Sequence, residues 1–184
     1  MSLQTSAQFS RPQPGDCDPY YFTYIDSVPS DVEISTYLHT QRDWFGDFIE
    51  QLTPEQSQHR YADGKWSLAE LIGHVMDTER VFAYRLHAIS RNDQNSLPGF
   101  EQDDYVKNSI YHEIHPSELA NEWRAIRSST IYLIRHMNSE MASHTGTANN
   151  LRIKAMAYPY IMAGHVTHHY KIAQERYLAN VHAG

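Results

Sequence analysis

A chain of 184 residues with 22 acidic against 15 basic side chains carries a formal net charge of -7, and no basic run interrupts it, which excludes a nucleic-acid partner that needs concentrated positive charge against phosphate. Cys17 is the only cysteine, so no intrachain disulfide can form and a reducing cytoplasm is the expected compartment; its acidic neighbours in "GDCDP" disfavour a thiolate, and it receives no role. The longest nearly apolar run, "AMAYPYIMAG" at 155–164, is half of the ~20 residues a membrane span requires, and the N-terminus lacks the apolar segment of a signal peptide.

In chain order, residues 1–30 hold Pro12, Pro14, Pro19 and Pro29 without a sustained period. They read as an extended N-terminal arm that packs Tyr20, Tyr21, Phe22 and Tyr24 onto the body. Residues 31–184 read as one bundle domain. Ile34, Leu38, Phe45, Phe48 and Leu52 share a helical face, and Thr53-Pro54 ends this first helix. Ser67 followed by Glu70 forms a capping box and predicts a second helix over Leu68–Ser90. "NDQNSLPGFEQDDYV" at 92–106 breaks the period with Pro98 and Gly99, and its length invites function. Leu119, Trp123, Ile126, Thr130, Leu133 and Met137 alternate spacings of four and three, a bundle seam that defines a third helix. "SEMASHTGTANN" at 139–150 reads as a loop. A fourth helix is predicted from near Arg152 to about Leu178, with Pro159 inside it removing one hydrogen bond and kinking its first part. No alternating strand pattern appears. Four amphipathic segments joined by polar loops predict an all-α four-helix bundle.

The chemistry concentrates in "GHVTHHYKIAQERY" at 164–177. Residues four apart on a helix stack one above the other about 6 Å along its axis, so His165 and His169 can grip one ion. His168 and His165 form an imperfect rival pair. The face favours His169, because His165 aligns with Ile161, Met162, His169 and Ile172 whereas His168 leans to the flank. A third ligand has to come from elsewhere. His74 shares a face with Leu71, Thr78, Val81 and Phe82, which aims it into the bundle; a core histidine bonded to a tyrosine or a carboxylate is the plain alternative. Three inward imidazoles suit Zn, Ni, Cu or Fe and leave a coordination position open. Asp77, three residues after His74, can orient a ligating imidazole or a bound water from outside the ligand set.

"GKWSLAELIGHVMDTERVFAYR" at 64–85, "LPGFEQDDYV" at 97–106 and "AGHVTHHYKIAQERY" at 163–177, together with "PYYFTYIDSVP" in the arm, resemble the DinB/YfiT-like superfamily of metal-binding four-helix bundles. The resemblance implies a divalent metal ion, zinc or nickel, held by His74, His165 and His169, and it selects His169 over His168. It also implies a metal-dependent hydrolase, or a transferase of a low-molecular-weight thiol such as bacillithiol or mycothiol. Either would take a small-molecule substrate, in the cytoplasm, as a monomer or a homodimer. The rival from another class is a non-enzymatic stress-response or interaction module with a structural metal, for which His112 and His115 are the residues to watch as a fourth ligand. Tyr84, Arg85 and Tyr170 are further candidates to line a pocket, although packing accounts for each of them. Di-iron bundles need Glu-x-x-His, zincins need His-Glu-x-x-His and serine hydrolases need Gly-x-Ser-x-Gly; none of these occurs.

Overall fold

The structure, a computed structural model, describes residues 9–179; the first eight residues of the predicted arm and residues 180–184 of the predicted bundle lie outside it. Four long helices make the body: α2 (Ile34–Glu50), α4 (Leu68–Ser90), α6 (Pro116–Arg135) and α8 (Tyr158–Ile172). Around them run the short helices α1 (Phe22–Ile25), α3 (Pro54–Gln58), α5 (Gln102–Lys107) and α7 (Ser139–Ser143), and a hairpin of β1 (Thr145–Ala148) and β2 (Leu151–Lys154). The most extensive pairing is α2 with α6, and α8 closes the bundle against α2 and α4. Among the described residues no helix is long and apolar enough to cross a membrane.

Local chemistry sets the boundaries. The capping box at the head of α4 forms as predicted: the Ser67 N–H donates to Glu70 Oε2 at 2.7 Å and the Glu70 N–H to Ser67 Oγ at 3.2 Å. Thr53-Pro54 ends the first helix and, through a second capping box with Gln56, opens α3. Pro116 occupies the first turn of α6, and the His115 ring accepts the Ser117 N–H at its start.

Three expectations are corrected. The fourth helix begins at Tyr158 rather than near Arg152, because Pro159 sits in its first turn, where a missing N–H costs nothing, and so starts the helix instead of kinking it. The preceding stretch is not loop but the antiparallel hairpin, with Ala148 opposite Leu151 and both turn residues, Asn149 and Asn150, at positive φ (51° and 61°). Asparagine tolerates that region, and two consecutive left-handed residues make the tight turn whose twist suits a hairpin. The arm is not extended throughout: a 3₁₀ turn over Pro19–Tyr21 runs into α1, which lies along α8. Past α8 the chain continues as a π-helical turn over Ala173–Leu178.

The core divides into two apolar clusters separated by a polar layer. Along α2 the order is Leu38, Gln41, Phe45; along α4, Met76, Glu79, Phe82; along α6, Trp123, Arg127, Ile131. In each triplet the outer two residues belong to different clusters. The middle three are buried and bonded together. Arg127 Nε lies 2.9 Å from Glu79 Oε1, close but poorly aligned for a hydrogen bond, while Nη2 donates to Glu79 Oε2 at 3.1 Å and Nη1 to Gln41 Oε1 at 2.9 Å. Gln41 Nε2 passes the chain on to the Ala163 carbonyl of α8 at 2.9 Å. The Arg127 guanidinium also stands 4.6 Å from the centre of the Trp123 ring.

The arm docks on α8 at Gly164. A Cβ there would stand 2.0 Å from the Tyr24 carbonyl oxygen, so the close approach of the two backbones requires glycine. Ser27 Oγ donates to the Gly164 carbonyl at 3.3 Å on the same seam.

Gly164→Ala is therefore expected to push α1 off α8 and to lower stability by about 1–3 kcal/mol, the usual cost of overpacking, read by urea denaturation. Glu79→Gln leaves a buried guanidinium without its counter-ion and is expected to cost about 3–5 kcal/mol; a loss under about 1 kcal/mol would mean that the layer does not hold the core together.

Candidate metal centre

The three predicted histidines converge. His74 stands two turns into α4, where the capping box has fixed the helix start, and His165 and His169 lie one turn apart on α8, whose start Pro159 fixes. One ring nitrogen from each lies within 4.8 Å of the other two. Ring centroids are 5.2 Å apart for His74 and His165, 4.8 Å for His74 and His169, and 4.4 Å for His165 and His169.

The closest approach carries the chemistry. His165 Nε2 and His169 Nε2 are 3.1 Å apart, and imidazole nitrogens that near share either a proton or a cation. Two nitrogens each ~2.0–2.1 Å from one tetrahedral ion stand roughly 3.3 Å apart, so the spacing fits a common ion. His169 Nδ1 is buried without a partner among the described residues. His74 makes no hydrogen bond to a tyrosine or a carboxylate among them, which leaves the plain core-histidine alternative unsupported.

Burial keeps all three rings uncharged. It pulls His74 down to about 4; it also holds His165 and His169 well below the usual imidazole range, and the neighbouring imidazoles add to the effect. Neutral imidazole is the form that ligates a divalent ion. Among the described residues no carboxylate or thiol joins the group.

The other candidates fall elsewhere. His168 is exposed and flanks the site, its ring packed edge-on against Tyr24 and His169. Asp77 is corrected: it lies about 60° around α4 from His74, and its carboxylate accepts the Tyr111 hydroxyl at 2.7 Å and Arg80 at 3.3 Å. That carboxylate is spent on the α5–α6 connection rather than on a histidine. His112 lies 3.7 Å from Glu70, and His115 caps α6, so neither is a fourth ligand here. Tyr84 points to solvent, and Tyr170 packs among Trp44, Phe45 and Phe48. Cys17 is buried, and burial together with Asp16 and Asp18 pushes its thiol up to about 11, consistent with no reactive role.

Two cavities reach the trio. One, of about 130 Å³, exposes His74 and His165 and is walled by Tyr20, Tyr21, Tyr24, Thr78, Phe82, Arg85, Phe100, Gln102 and Asn149. The other, of about 500 Å³, exposes His169 between Trp66, Tyr61, Lys65, Arg176 and Tyr177. Most of these walls were not singled out from sequence. The signals for Phe100 and Gln102 are the long break after Ser90 and the "LPGFEQDDYV" motif that contains them, and Asn149 carries none. The 97–100 loop is tied to the hairpin: the Leu97 N–H donates to the Thr147 carbonyl and the Asn149 N–H to the Leu97 carbonyl, each at 2.9 Å.

The chain superposes on YfiT from Bacillus subtilis, described as a probable metal-dependent hydrolase with an unusual four-helix bundle topology, with a TM-score of 0.61 over 90% of each chain at 13% identity. That likeness establishes the fold alone. No curated protein matches the sequence significantly. The profile of the DinB superfamily matches residues 37–173, which carry all three histidines and most of the bundle, and the chain belongs to the DinB superfamily.

Proposed function

We propose that the protein is a divalent-metal-dependent enzyme, with His74, His165 and His169 as the ligands and zinc or nickel as the ion. The observation that carries this reading is the 3.1 Å approach of two Nε2 atoms inside an uncharged trio that no carboxylate joins among the described residues. Three neutral nitrogen donors suit zinc or nickel and leave part of the coordination sphere for a reactant. A bound ion supplies Lewis acidity that lowers the pKa of a coordinated water or thiol.

The residues of the chain do the remainder. Tyr24 and Phe82 close over His165, their ring centroids 5.4 and 6.0 Å from its own, and Trp66 stands 5.1 Å from His74, so the trio is shielded from bulk water except through the two cavities. Low local dielectric strengthens every charge interaction there. A hydrolase is the first reading, supported by the description of YfiT. Transfer of a low-molecular-weight thiol is the second, favoured by the cavity of about 500 Å³ at His169, which adds room for a co-substrate beside the smaller one.

A structural metal in a non-enzymatic module is the opposing reading, and metal removal separates the two. The purified protein is expected to bind one equivalent of zinc or nickel by elemental analysis. His165→Ala should weaken that binding by more than the ~10–100-fold that loss of an outer-shell partner costs. Chelation should lower the melting temperature yet leave a folded protein; collapse of the fold on chelation would support the structural role instead. Loaded protein should then hydrolyse activated esters, or accelerate the alkylation of a low-molecular-weight thiol by monobromobimane. His165→Ala should do neither.

The uncharged trio also fixes a pH dependence. The unfolded chain protonates its histidines near pH 6.5, whereas the folded metal-free chain protonates His74 only near pH 4. The unfolded state therefore binds more protons between those values, and stability, complete above pH 6.5, falls as the pH drops toward 4. His74→Gln is expected to flatten the fall by up to ~3 kcal/mol, measured as melting temperature against pH in the presence of EDTA.

A further inference from the structure

Resting on that reading of the trio, we propose that the smaller cavity takes an anionic substrate, and that Arg85 is the residue that binds its carboxylate. Arg85 is 3% exposed and lines the cavity beside His74 and His165. A guanidinium offers five N–H donors, yet the one hydrogen bond it makes among the described residues is from Nη2 to the Pro98 carbonyl at 2.7 Å. Among the described residues no salt bridge holds it, in contrast to Arg127, whose buried charge is matched by Glu79. A cation that deep without a counter-ion is costly unless something supplies the charge.

The surroundings supply none. No aspartate or glutamate lines the cavity, although the chain as a whole has a net charge of -7. The donors there are the Arg85 fork, the side-chain amides of Gln102 and Asn149 and the hydroxyls of Tyr20, Tyr21, Tyr24 and Thr78, and three neutral imidazole ligands would leave the charge of a bound divalent ion uncompensated. Arginine matches a carboxylate with two parallel hydrogen bonds. Tyr24, Phe82 and Phe100 make the rest of the wall aromatic. About 130 Å³ is room for roughly four waters at ~30 Å³ each, which suits a carboxylate on a short or planar carbon frame. The Pro98 bond holds the guanidinium against the 97–100 loop, so Arg85 positions the acid end of the substrate while the trio faces its reacting end.

Binding of benzoate and of its uncharged isostere benzamide tests this with the full chain, by calorimetry, in both the metal-loaded and the EDTA-treated forms. Benzoate is expected to bind at least ~10-fold more tightly than benzamide in both forms. Arg85→Met should abolish that preference by bringing benzoate affinity down to that of benzamide. Arg85→Lys, which keeps a cation without the planar fork, should fold like the wild type and bind benzoate more weakly than it, with some preference left. Equal binding of the two probes by the wild type would overturn the proposal, as would a preference that survives Arg85→Met or benzoate affinity unaltered in Arg85→Lys. A preference confined to the loaded form and insensitive to Arg85 would assign the carboxylate to the ion, sinking this proposal and leaving the metal reading intact. An Arg85-dependent preference in a protein that takes up no metal would do the reverse.

Discussion

The buried guanidinium of Arg127 is the constraint on which the bundle depends. An apolar helix face can slide past its neighbour by a turn at little cost in buried area, but a desolvated cation cannot lose its counter-ion. Arg127 on α6 takes Glu79 on α4 and Gln41 on α2, and Gln41 carries the connection to the Ala163 carbonyl on α8. All four long helices are thereby fixed in height at one level of the core. Glu79 is five residues past His74, and Ala163 is two residues before His165. The layer that sets the register of the helices thus sets the distance at which imidazoles from α4 and α8 meet.

Charge is sorted around that level. Acidic groups near it are engaged: Glu79 by Arg127, Asp77 by Tyr111 and Arg80, Glu70 by the α4 cap and Arg60. None of these three bridges the histidines, which burial, reinforced within the trio by the neighbouring imidazoles, keeps neutral. Three uncharged nitrogens would hold a divalent ion without cancelling its charge, and Arg85, with no carboxylate partner among the described residues, lies on the same cavity. Together they would make one small volume strongly positive inside an acidic protein, a potential that water-excluding aromatic walls sharpen rather than screen.

The bundle and its three inward histidines are legible because both rest on periodicity, while the choice of His169 over His168 rests also on the resemblance to the family. The apolar repeat marks each long helix, Ser67 and Glu70 fix the start of α4 to the residue, and three histidines on inward faces have few places to go but one another. What escaped rests on contacts that no local pattern encodes. Pro159 was read as a kink because a proline inside an apolar run looks interior; only the hairpin before it shows that the helix has not yet begun. The strands are four residues each and carry no alternation long enough to read. Asp77 has the spacing of an orienting residue, yet its partner is Tyr111, thirty-four positions away, and a strong hydroxyl donor in reach decides where a carboxylate turns. Arg85 was visible as a residue but not as an unpaired one, since pairing is a property of the folded surroundings.

Division of labour follows from where the parts lie. The three histidines stand on two of the long helices, α4 and α8, whose starts the capping box and Pro159 mark. The walls that face a reactant come largely from irregular segments: Tyr24 from the docked arm, Phe100 and Gln102 from the long connection, Asn149 from the hairpin turn. Those segments are pinned at single points, by Gly164 under the Tyr24 carbonyl, by the Leu97 ladder to the hairpin, and by the Arg85 bond to Pro98. A change of side chain in the walls can therefore alter what enters without moving the trio, whereas a change in the Arg127 layer moves the trio whatever enters. Arg85 belongs to both regimes, because it grows from the rigid α4 and yet holds the loop that closes the cavity. An anion at its remaining donors would sit between that loop and the histidines, so that recognition of charge falls in the volume from which the aromatic walls exclude water.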